Sequence, residues 1–119
     1  KSEYLINGIE NRIEQIVANL LDNSISFSDN GSEVIVNVSN GLEKKVIVKI
    51  LYEGQGFKEK DTSKIFNRFY SNRPENFGEH SGLGLNIVKN LVELHDGKIE
   101  ASNRLDKQGA MIEIKFPSL

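Results

Sequence analysis

The sequence predicts an α+β two-layer sandwich: a mixed, mostly antiparallel sheet with its helices on one face. Three observations predict it. Residues 34–39 with 45–51, and 98–103 with 110–116, are Val/Ile-rich runs joined by polar turns, the pattern of antiparallel hairpins. Two stretches, near 9–21 and 85–92, repeat apolar residues at helical spacing. Strands that are mostly antiparallel, with helices grouped between them, pack as two layers. One sheet face is then covered and the other partly open.

The first segment, 4–6, is a short apolar patch closed by Asn7-Gly8, an expected edge strand. Next, Ile9, Ile13, Ile16, Val17, Leu20 and Leu21 mark one face of a helix packed on a core. Along its flank, Gln15, Asn19 and Asn23 stand four apart, with Asp22 and Ser26 beside them. Asn is a poor helix former, so this stripe is locally unfavourable. Its amides suit either solvent and capping or the oxygen shell of a hard cation such as Mg²⁺, which otherwise keeps water and substrate phosphates. A turn over 26–31 is expected before the first hairpin. The second strand of that hairpin runs into Tyr52-Glu53-Gly54-Gln55-Gly56-Phe57, where paired glycines serve either a binding loop or a structural turn.

Thr62 or Ser63 can cap a short helix with Ile65, Phe66 and Phe69 on one face. Periodicity is lost over 71–80, a loop with Pro74 and Gly78 that serves either as a lid beside a phosphate site or as a plain connector. Gly82 and Gly84 then open a helix carrying Leu85, Val88, Leu91 and Val92. A helix start presents unpaired N–H groups and a positive dipole end, and glycine lets an anion come close, so these glycines either admit a phosphate, the default ligand, or merely let the helix start tightly. Neither the Lys-Ser/Thr of a P-loop nor the third Gly of a dinucleotide fingerprint is present. His95-Asp96-Gly97 is the expected helix stop, and Ala110, Ile112, Ile114 and Phe116 share a face of the last strand.

Composition excludes several classes. A chain of 119 residues makes one domain, and its net charge of -2 argues against a nucleic-acid-binding face. Cys is absent, which excludes disulfides and thiolate metal sites. The longest apolar run falls far short of the roughly 20 residues of a membrane span. The direct start into an apolar stretch suggests a piece of a longer protein. His95 is expected as a partly exposed imidazole stabilised by the helix dipole and His80 as a solvated one, neither with the neighbours of a metal site.

The order of segments resembles the ATP-binding catalytic domain of sensor histidine kinases, in the ATPase superfamily that also holds gyrase, Hsp90 and MutL. Asn19-Leu20-Leu21-Asp22-Asn23 looks like its asparagine motif, Glu53-Gly54-Gln55-Gly56-Phe57 like most of its first glycine motif, and Ile65-Phe66-Asn67-Arg68-Phe69-Tyr70 like its phenylalanine motif. Ser81-Gly82-Leu83-Gly84-Leu85 and the helix behind it are similar to the second glycine motif. The run from Arg73-Pro74-Glu75 to Phe77-Gly78 is similar to kinases of the ChvG type. The resemblance implies the Bergerat ATP-binding fold over 1–119, with ATP and Mg²⁺ as cofactors. It implies a cytoplasmic domain of a membrane-anchored parent, without membrane contact of its own. Its partners are then the histidine-bearing dimerisation domain of the same kinase and a response regulator, and no catalytic residue lies in this chain because the phosphoacceptor His is upstream. By the same resemblance Asn23 binds Mg²⁺, Asn19 lies near the phosphates and Phe27 stacks on adenine. Gly54 and Gly56 pass close to the base, and Ser81, Gly82, Leu83, Gly84 and Leu85 meet the phosphates.

Three positions depart from the family. Tyr52 stands where an Asp accepts the adenine amino group, and Glu53 points to the other strand face. Losing a hydrogen bond to a charged group costs about 1.5 to 3 kcal/mol, roughly ten- to 150-fold in affinity. Ser26 and Ser71 replace basic residues, with Arg73 placed to reach round. Two functions follow: an active kinase domain with weakened nucleotide binding, or a degenerate domain with Tyr52 in its pocket that works by protein contact. The phenylalanine motif and the short chain disfavour a gyrase- or Hsp90-like ATPase module.

Overall fold

In the computed structural model residues 5–54, 56–57, 65–66 and 83–118 are described. Helix α1, Glu10–Phe27, is longer than its apolar repeat indicated, because Ser28 N–H donates to Ser24 O (2.9 Å) and the Ser24 hydroxyl to Leu21 O (2.9 Å). Its buried residues are Ile16, Leu20, Asn23 and Ser24, whereas Ile9 and Val17 are exposed. The helix is thus rolled towards its polar flank. The amide stripe, read as bordering the buried face, ends inside it.

Strands β1 (Val34–Gly41), β2 (Lys45–Glu53), β3 (Lys98–Asn103) and β4 (Gly109–Pro117) form one sheet in the order β1-β2-β4-β3. Among the described residues every pairing is antiparallel. The strand expected at 4–6 is reduced to a single bridge between Ile6 and Ser118, with Tyr4 outside the described residues. Because side chains alternate faces, the register sets Val46, Val48, Ile50 and Tyr52 beside Phe116, Ile114, Ile112 and Ala110 on one face. There Val48, Ile50, Ile112, Ile114 and Phe116 meet Ile16 and Leu20 of α1 and Val88 and Val92 of α2, Leu83–Leu94. Burying each Ile or Val fully contributes about 1.5 to 3 kcal/mol. The opposite face carries Lys49 and Lys115, each 3.6 Å from Glu113, and is the partly open one.

Helix α2 ends on Asp96 in the left-handed region (φ 59), and the Gly97 N–H returns to Val92 O (2.9 Å). The helix thus stops at the expected His95-Asp96-Gly97, with Asp96 and not the glycine in the left-handed position, since Asp tolerates positive φ. Gly97 serves close packing instead: a Cβ there would lie 2.9 Å from Lys115 O. His95 is not simply a ring facing the helix dipole. The Ile9 N–H donates to its Nε2 (3.0 Å), which leaves Nδ1 to donate to Leu91 O (2.8 Å), while the ring meets Phe116 edge-on. It joins the start of α1 to the end of α2, so the two packed helices run in opposite directions.

Candidate functional site

Opposed helices bring distant motifs to one end of the molecule. At 1.5 Å per residue, Gly84 lies about 17 Å back along α2 from His95, and the same distance along α1 from Ile9 reaches the level of Leu20. Asn19 and Asn23 bracket that level. Asn19 is half-buried and Asn23 is 4% exposed.

The end of β2 arrives at the same place. Asp29 N–H donates to Glu53 O (2.9 Å), and a Cβ on Gly54 would lie 2.5 Å from Phe27 O, so the first glycine motif is pressed against the last turn of α1. Only glycine permits that approach. Tyr52, 2% exposed, lies in a cross-strand row with Val34, Ala110 and Asn103 on the helix-covered face. The small side chain of Ala110 leaves room for the large ring beside it. On β4, a Cβ on Gly109 would run into Tyr52 O, so this row too depends on a glycine.

Beyond Gly54 the chain turns at Gly56, in the left-handed region (φ 76). Asn103, the last residue of β3, takes hold of the next residue: its Oδ1 accepts the Phe57 N–H (2.6 Å) and its Nδ2 donates to Phe57 O (3.2 Å). On the other side, the Asn86 amide of α2 donates to Phe66 O (3.0 Å), fixing the short turn in which Ile65 and Phe66 are buried. Sequence reading missed both amides. Nothing local marks Asn103 or Asn86, because their partners lie 46 and 20 residues away.

Gly84 is unlike Gly54. It is exposed, sits within α2 and, apart from its own helix backbone, has no atom of the described residues within 4 Å of where a Cβ would stand. Leu85 is half-buried and packs on the core, and Leu83 opens the helix. Arg73, Ser81 and Gly82, the segment 71–80 read as a lid or connector, and residues 67–70 of the phenylalanine motif lie outside the described residues.

The β3–β4 turn adds charge at this end. Arg104, its side chain 4% exposed, donates from Nε and Nη2 to the two oxygens of Asp106 (2.9 and 2.7 Å). Those hydrogen bonds hold the Asp106 carboxyl down at about 2, against an ordinary 3.8, and raise Arg104. A depressed carboxyl stabilises the fold fully above its ordinary value and loses that contribution as pH falls through about 2. The bridge should thus persist at pH 4, and a carboxyl NMR titration of Asp106 should have its midpoint near 2. A midpoint at the ordinary value would show that the pair does not hold in solution.

Among the described residues no group of three or more His, Cys, Asp or Glu could hold a metal. What the site offers a cation is amide oxygen, which fits an ion that keeps most of its water and leans on substrate phosphate. No described helix is long and apolar enough to cross a membrane.

The family model described as histidine kinase-, DNA gyrase B-, and HSP90-like ATPase matches residues 8–119. The chain is 39% identical over 119 residues to the sensor protein ChvG of Agrobacterium fabrum, covering 98% of this chain and 20% of that protein. It is 41% identical over 107 residues to the sensor protein KdpD of Clostridium acetobutylicum, covering 88% of this chain and 12% of that one. It thus spans a fifth or less of the length of these curated relatives. Among solved structures, the mycobacterial sensor histidine kinase MprB superposes with a TM-score of 0.83 at 28% identity, over 95% of this chain and 74% of that one. Full-length ShkA in complex with AMPPNP gives 0.76 at 26% identity, over 92% of this chain and 22% of that one.

Proposed function

The chain belongs to the family of histidine kinase-, DNA gyrase B- and HSP90-like ATPases, and within it we propose that residues 1–119 are the ATP-binding catalytic domain of a two-component sensor histidine kinase. It holds ATP with Mg²⁺ and presents the γ-phosphoryl group to a histidine on a separate dimerisation domain, whose phosphate then passes to a response regulator. Relatives that are sensor proteins, and a neighbour solved with AMPPNP, support this reading. In this reading the domain lies in the cytoplasm beneath a membrane-anchored parent.

The observation that carries it is Gly84. A glycine within a helix costs up to about 1 kcal/mol relative to Ala, and here neither packing among the described residues nor positive φ requires it. Access of a phosphate to the N–H groups around Ser81, Gly82, Leu83, Gly84 and Leu85 explains it. Asn19 and Asn23 face the same end, with Asn23 as the protein oxygen for Mg²⁺; the metal, when bound, spreads the charge of the phosphate tail. Phe27 stacks on the base, which Gly54 and Gly56 admit, Tyr52 lies beside it, and Arg73 reaches the phosphates. The residues act by placing and screening the phosphate chain, since phosphoryl transfer relies on geometry and charge stabilisation.

Gly84→Ala tests this. The variant should melt slightly higher, by about 0.5 to 1 kcal/mol of added stability, yet bind MgATP about tenfold or more weakly by calorimetric titration. Unchanged binding would overturn the assignment of the phosphate site. A second reading draws on the buried ring of Tyr52 opposite Ala110: a filled base pocket, and a non-catalytic domain acting through protein contact.

A further inference from the structure

We propose that Asn103 is a positioning residue for the base-binding loop, an assignment that rests on the reading of Gly54 and Gly56 above. The loop leaves β2 after Glu53 and has no strand partner for Phe57, yet both backbone groups of Phe57 are engaged by one side chain. An amide offers a donor and an acceptor side by side, so it replaces the neighbouring strand that would otherwise make this pair of bonds. The loop is shaped to receive it. Gly56 takes a left-handed φ of 76, and a Cβ there would lie 2.5 Å from Asn103 Oδ1.

The anchor itself is rigid. Asn103 is paired in the ladder with Ala110, whose other neighbour is Tyr52, so loop, strand end and the row under the base are fixed by one residue. The amide bonds lie at the exposed edge of the structure. Exposed bonds of this kind contribute little to global stability, but they decide where a loop sits. Asn103 touches no phosphate-binding element among the described residues, and its action is confined to the base end of the site.

That confinement gives the test. MgATP and magnesium tripolyphosphate, which has no base, are titrated into the 119-residue chain and into Asn103→Ala. The variant should bind MgATP about tenfold more weakly, bind tripolyphosphate within about twofold of the unaltered chain, and keep nearly the same melting temperature. Asn103→Asp, of equal volume but lacking the donor, should lose MgATP as Ala does. Equal loss of both ligands, or no loss of either, overturns the role of Asn103. If the unaltered chain binds neither ligand, the nucleotide-site reading falls first and takes this assignment with it.

Discussion

Tyr52→Asp is expected to tighten MgATP binding by roughly ten- to 150-fold while making the nucleotide-free chain less stable. The gain is the hydrogen bond between a carboxylate and the adenine amino group, worth about 1.5 to 3 kcal/mol. The loss follows from packing. Tyr52 is 2% exposed and stands across the strands from the small Ala110, so removal of its buried ring costs about 3 kcal/mol or more, and the new carboxylate is partly desolvated. Nucleotide should recover part of that loss by mass action, so the variant's melting temperature should rise more with MgATP than that of the unaltered chain. Titration and melting curves of both proteins read the two effects. Equal binding by both would show that Tyr52 does not weaken the site, and no binding by the unaltered chain with clear binding by the variant would favour the degenerate reading.

Gly54→Ala should destabilise the fold by about 2 kcal/mol or more and lower MgATP affinity with it. Its Cβ would press at 2.5 Å on Phe27 O, a backbone atom that no rotamer change can move. Either the end of β2 retreats from α1 or the last turn of α1 unwinds. Both separate Phe27 from the glycine loop. Against Gly84→Ala the contrast is direct, since both replace a glycine of the proposed nucleotide site, but one clashes with backbone and the other meets no described atom outside its own helix. A Gly54→Ala protein as stable as its parent in urea would show that this approach is not required.

Much of the architecture was legible in the chain alone. Both hairpins were read within two residues of their observed ends, because alternation and turn residues are local properties of consecutive positions. The glycines at 54, 56 and 84 could be named as chemically meaningful for the same reason. Their meanings could not be separated. The same dipeptide-scale signal marks a close backbone approach at Gly54, a left-handed turn at Gly56 and an open helical position at Gly84.

Burial of polar groups was harder to foresee. The apolar repeat of α1 pointed through Ile9 and Val17, yet the helix buries Asn23 and Ser24, since its roll is set by what α2 and β2 offer. His95, expected as a partly exposed ring at the helix end, is partly exposed and also joins Ile9 to Leu91, which its sequence neighbours do not indicate. In each case the partner is far away in sequence.

By itself, then, the sequence determined the periods, the turns, the order of motifs and the absence of thiolate chemistry, all consequences of neighbours along the chain. Only the tertiary structure decided that α1 and α2 run in opposite directions, that Tyr52 lies buried in a row with Ala110 and Asn103, and that one amide holds Phe57 across 46 residues. The reason is physical. Contacts between elements depend on register, roll and direction, which arise when hydrophobic faces are buried together and leave no mark at any single position.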